Sequence, residues 1–91
     1  MPLLRGEVQG YDFDRMVVEF TMLDADAVVD CAISTVAMDD IEHARGVKAD
    51  ERVDQFLRLR DVIEERAARK FHDEHARPDR VLVLRSNDFV K

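Results

Sequence analysis

Cysteine occurs once in the 91 residues, at Cys31, so no intrachain disulfide can form and a reducing compartment is implied. No run of about 18 consecutive apolar residues exists, which excludes a membrane-spanning helix. The opening stretch carries charge by Arg5 and lacks the apolar segment of a secretory signal. Together these absences predict a cytoplasmic protein. Glycine is scarce, with three scattered residues, and none sits in a phosphate-cradling loop, a Gly-x-Ser-x-Gly elbow or a paired zinc-finger spacing. Repeats, linkers and low-complexity segments are missing too. Enzyme chemistry has no visible home, and neither an activity nor a cofactor is expected.

What the chain does contain is a core and an acidic surface. At 46% hydrophobic it can bury a modest interior, which argues against disorder. Its length suits one domain, residues 1–91, near the lower limit for folding without staples. Twenty Asp and Glu outweigh fourteen Lys and Arg, giving a net charge of −6. Such a surface repels phosphate backbones, so nucleic acid is a disfavoured partner.

Alternation begins after Asp14. Met16, Val18, Phe20 and Met22 share one strand face, and after the polar break Asp24–Ala27 a second strand places Val29, Cys31 and Ile33 on the same side. A β-hairpin follows from this pattern. Its other face carries Val17, Val28 and Ala32 among polar residues, too apolar for open solvent, so the N-terminal segment or a second subunit is expected to cover it. Ser34 or Thr35 caps a first helix with Val36, Ala37, Ile41 and Ala44 inward, and Gly46 supplies its left-handed stop. Asp50 caps a long second helix, about residues 51 to 76, ended by Pro78. Advancing about 100° per residue gathers Val53, Phe56, Leu59, Ile63, Ala67 and Phe71 into one stripe. The opposite side holds Asp54–Arg58, Glu65–Arg69 and Arg69–Asp73 at i,i+4 spacing. Val81 to Leu84, an unbroken apolar run, reads as a third strand buried on both faces, and Phe89 adds an anchor beyond it. The class is α+β, a helix packed on a small, mainly antiparallel sheet. A helix of that length spans about 39 Å, more than the roughly 30 Å breadth of such a domain. A second copy sheltering the overhang is one resolution.

Four features are weighed as sites. His72 and His75, with Asp73 and Glu74 between them, lie near the long helix's end. Zinc hydrolases need histidines at i,i+4 with a third ligand, so a polar helix end is the reading and no metal is expected. Cys31, between two β-branched core residues, reads as a buried, inert thiol. Arg60 falls inside the apolar stripe and must be paired or snorkel; Glu64, Asp12 and Asp14 are the candidate partners, and anion or partner binding is the functional alternative. Arg66, Arg69, Lys70, Arg77 and Arg80 make a local basic patch.

Four stretches in order, GYDFDRMVVEF, CAISTVAMDDI, FLRLRDVIEERAARKF and LVLRSNDF, resemble the small bacterial family catalogued as domain of unknown function 1488. The matching residues are Tyr11, Asp12, Arg15, Val18, Phe20, Ser34, Ala37, Arg60, Ile63, Asp88 and Phe89, with Met38 where leucine is usual. The resemblance implies a small cytoplasmic α+β protein and lends no activity or catalytic residue. The leading expectation is a non-enzymatic protein-interaction module, acting as a homodimer and binding a further protein. The alternative is a small nucleic-acid-associated transcriptional regulator using the basic patch. Candidate anion- or partner-binding residues are Arg60, Arg66, Arg69, Lys70, His72 and His75.

Overall fold

The computed structural model describes residues 3–74 and 80–89. Three strands run as an antiparallel meander, β1 (Leu4–Asp12), β2 (Val17–Asp24) and β3 (Ala27–Ser34). Two helices follow, α1 (Thr35–Glu42) and α2 (Arg52–Asp73), and the chain returns through β4 (Leu82–Leu84), parallel to β3. The sheet order is β1-β2-β3-β4, and the α+β class expected from the sequence is the one observed.

The hairpin alternation holds in detail. Val18, Phe20, Met22, Val29, Cys31 and Ile33 are all buried beneath α2, with Phe20 and Phe56 ring centroids 4.9 Å apart. Met16 does not extend that row. It sits in the turn before β2 with a positive φ of 57° and is 53% exposed. Phe56, Ile63 and Ala67 of the α2 stripe are fully buried, while Val53, Leu59 and Phe71 are partly so.

The N-terminal segment forms an unexpected fourth strand. β1 lies beside β2 in the sheet plane, so it does not cover the outer face. Its pairing steps from Arg5↔Met22 to Val8↔Phe20 and on to Gly10↔Glu19, one extra residue each time. Each step is a bulge. Arg5, Val8 and Tyr11 consequently oppose the inward residues Met22, Phe20 and Val18, at a spacing of three. The first bulge is organised by Thr21, whose hydroxyl accepts from Glu7 N at 2.9 Å.

Helix ends depart from expectation. Ser34 caps α1, accepting from Ala37 N at 3.1 Å. The left-handed stop is His43 (φ 56°), three residues ahead of Gly46, and Ala44 N closes on Asp39 O at 3.0 Å. Asp50 caps nothing: it is exposed in a 3-10 turn (Ala49–Glu51), where Glu51 accepts from Lys48 N instead. α2 therefore starts at Arg52 and ends at Asp73. Its 22 residues span about 33 Å, shorter than the roughly 39 Å expected, and the longest extent of the described residues is 37 Å. β4 is also buried on one face rather than two. Leu82 and Leu84 face the core, Val83 is partly exposed and Val81, before the strand, is 54% exposed.

Gly6 is the tightest point of the sheet. A Cβ added there would sit 2.4 Å from both the carbonyl oxygen and the hydroxyl of Thr21. Gly6→Ala is expected to cost about 1–3 kcal/mol by overpacking, read as a lower urea midpoint. Gly10→Ala meets no atom within 4 Å but has φ 129°, so its cost is backbone strain alone. If Thr21→Ala, which removes the hydroxyl and the γ-methyl but leaves the carbonyl, does not rescue Gly6→Ala, the obstacle at Gly6 is the backbone of Thr21.

Candidate functional site

Arg60 reaches from α2 to the edge strand. Its Nε donates to Glu64 Oε2 at 2.9 Å and its Nη2 to the carbonyl of Gly6 at 3.0 Å. Arg5, from β1, donates to the other oxygen of Glu64 at 2.7 Å and to Asp61 at 2.7 Å. Glu64 is 8% exposed, and each oxygen holds a guanidinium. The expected Arg60–Glu64 pair therefore forms, with Arg5 as a second cation. Asp12 is not the partner; its Oδ1 accepts from the backbone N–H groups of Asp14 and Arg15 in the β1–β2 turn.

At the other end of α2, Lys70 donates to Asp88 Oδ2 at 3.0 Å and to the carbonyl of Val83 at 2.8 Å. Arg66 donates to the Asp88 carbonyl, and the backbone of Arg85 donates to Asp88 Oδ2 at 2.8 Å. Burial raises the Asp88 carboxyl, but the Arg85 N–H and Lys70 outweigh it and hold the group below its ordinary value of 3.8. The basic patch is thereby divided. Arg66 and Lys70 turn to Asp88, Arg69 lies exposed against Glu65 at 3.8 Å, and His72 is exposed on the last turn. Arg80 is exposed, while His75 and Arg77 lie outside the described residues. No group of three or more metal-ligating side chains occurs among the described residues.

A third network was not anticipated. Arg52, buried at the start of α2, donates to Asp39 Oδ1 and Gln55 Oε1, both at 2.7 Å. Gln55, fully buried, donates to Asp39 at 3.0 Å and Glu42 at 3.2 Å, and Arg58 donates to both oxygens of Glu42. Arg58 thus pairs across helices, not with Asp54 one turn away. This network bolts α1 to α2. Cys31 is 2% exposed, and burial, then the charges of Asp30 and Glu64, push its thiol up to about 12, which favours the protonated form.

Among the described residues, no helix packs on the outer face of the sheet. Val17, Ala32 and Val83 floor a groove of about 460 Å³, with Arg15 and Arg85 at one end and Glu19 within it. Val81, which lines it, is 54% exposed, and at the far end of the strands Leu4 and Val28 are 60% and 54% exposed.

Removing Glu64 takes a carboxylate partner from two cations, leaving Arg5 only Asp61 and Arg60 only the Gly6 carbonyl, whereas removing Arg60 leaves Glu64 its bond to Arg5. Glu64→Ala is expected to lower stability by about 1–3 kcal/mol, and Arg60→Met by less; guanidinium melts rank the two, and the reverse order refutes the clamp. Acid should act through Asp88. A carboxyl whose folded value is depressed contributes its stability above the unfolded value, and loses it as pH falls through the folded one. The stability gap between wild type and Asp88→Asn should be widest at neutral pH and shrink below 3.8. A gap independent of pH would mean that the carboxylate charge contributes nothing.

The profile of the family described as "Protein of unknown function (DUF1488)" matches residues 6–84. No curated protein matches the chain. Among solved structures, the chain is similar to the crystal structure of a protein of unknown function from the DUF1488 family of Shewanella loihica PV-4. The identity is 18% and the TM-score 0.69, over 87% of this chain and 90% of that one. That likeness shows a shared fold. With most of its length matched, the chain belongs to the DUF1488 family.

Proposed function

We propose that this protein is a non-enzymatic protein-contact module of the cytoplasm that self-associates as a homodimer. The observation that carries this reading is the bare outer face of the sheet. A helix-on-sheet domain covers one sheet face and leaves the other to water or to a partner. Here the uncovered side keeps Val81 more than half exposed at a groove floored by Val17, Ala32 and Val83, and Leu4 and Val28 more than half exposed at the far end of the strands. A solvated face would alternate to polar residues at those positions. The nucleic-acid reading gains no comparable support, because Arg66 and Lys70 are taken up by Asp88 and the chain carries a net −6. A cytoplasmic location accords with the single buried cysteine and with the lack, among the described residues, of any helix long and apolar enough to cross a membrane.

A specific interface buries about 800 Å² on each partner. Multi-angle light scattering at micromolar concentration is expected to give twice the 10.5 kDa of one chain. A single-chain mass across that range would refute the homodimer.

A further inference from the structure

We infer that the second copy docks face to face on the outer surface of the sheet, its strands reversed, and not by adding a strand to either edge. The inference rests on the self-association reading above and specifies its surface and geometry.

Both edges are obstructed, and by the same helix. β1 is bulged twice, and the carbonyl of Gly6 in its first bulge is taken by Arg60. β4 is three residues long, and its Val83 carbonyl is taken by Lys70. Bulges, shortness and capped carbonyls each spoil an edge as a template for a further strand. The outer face, by contrast, is open and its floor is built of small side chains that a second sheet can approach closely.

Charge points to a copy of the same chain. The protein as a whole is strongly acidic, yet this face carries two arginines, Arg15 and Arg85, and, apart from Asp12, which is engaged by the Asp14 and Arg15 N–H groups of its own turn, two acids, Glu19 and Asp30. They are segregated along the strands. Arg15 precedes Val17, and Arg85 follows the Leu84 that pairs with Ile33, so both arginines lie toward one end. Glu19 and Asp30 lie further along, Asp30 opposite Thr21. A two-fold interface presents one patch to itself, so each residue must meet its complement in the other copy. An axis in the interface, crossing the strands near Val17 and Glu19, reverses the second copy. The arginine end of each sheet then faces the acidic stretch of the other. An axis along the strands would set arginine end against arginine end.

The test uses full-length chains altered only at outer-face positions, all exposed but the partly buried Glu19, with circular dichroism confirming the fold. Arg15→Glu with Arg85→Glu makes one all-acidic face, and Glu19→Arg with Asp30→Arg makes one face basic apart from the turn-engaged Asp12. Each variant alone should dissociate, its dimer Kd rising at least about tenfold, and an equimolar mixture should recover the dimer mass. Val81→Glu, which leaves those charges intact, should weaken wild-type association too. Retention of the wild-type Kd by both charge variants would overturn the face-to-face arrangement while leaving the homodimer intact. A wild type that is itself monomeric overturns the reading beneath it.

Discussion

A carboxylate that is 8% exposed has to be held by donors on both oxygens, or its burial works against folding. Glu64 meets that condition through Arg5 on one oxygen and Arg60 on the other. Because Arg5 comes from the edge strand and Glu64 and Arg60 from α2, the clamp fixes where the helix crosses the sheet. Arg60 passes on to Gly6 O, and ten residues later Lys70 reaches Val83 O on the opposite edge. One helix therefore spans the sheet from edge to edge. The apolar contacts of Phe56, Ile63 and Ala67 supply the driving force beneath it, and the polar contacts at both ends supply the register.

Local periodicity made the hairpin and the α2 stripe legible. Strands β2 and β3 alternate with period two, and Val18, Phe20, Met22, Val29, Cys31 and Ile33 are buried as that period requires. β1 escaped the same reading because its two bulges each insert a residue. Arg5, Val8 and Tyr11 face inward at a spacing of three, which matches neither the strand period nor the helical one. The two glycines in those bulges, Gly6 and Gly10, were the available signal. The sequence points to Gly46 as the helix stop because glycine is the residue that takes a positive φ most easily, yet His43 takes it here, where the Ala44 N–H bond to Asp39 closes the turn.

The same division runs through the charged residues. Arg60–Glu64 was readable because it lies at i,i+4 on one helix. Arg58–Glu42, Arg52–Asp39, Lys70–Asp88 and Arg5–Glu64 join residues 13 to 59 positions apart, and nothing local announces them. These pairings also change what the surface offers a partner. A row of cations on a helix looks like a phosphate-binding strip when written out linearly. Folded, Arg52, Arg58, Arg60, Arg66 and Lys70 each face an acidic side chain or a carbonyl of this chain. The helix spends its basic residues on internal ties and contributes little net positive field.

That internal use of charge leaves the outer sheet face as the surface whose composition the fold itself does not explain. Residues facing the helix are large, among them Phe20, Met22 and Ile33, because they must fill the space beneath α2. Those on the other side are shorter: Val17, Thr21, Val28, Ala32 and Val83. β-branched side chains suit a strand on either face, so their presence alone means little. Ala32 is different, since it contributes little strand propensity and little area, and at 5% exposure it lies low between its neighbours. A short side chain at the centre of a sheet face lowers the floor there and lets an opposing surface come close. Stacked sheets sit about 10 Å apart, and a shallow, apolar centre with arginines toward one end and acids further along has the relief and the polarity to receive one.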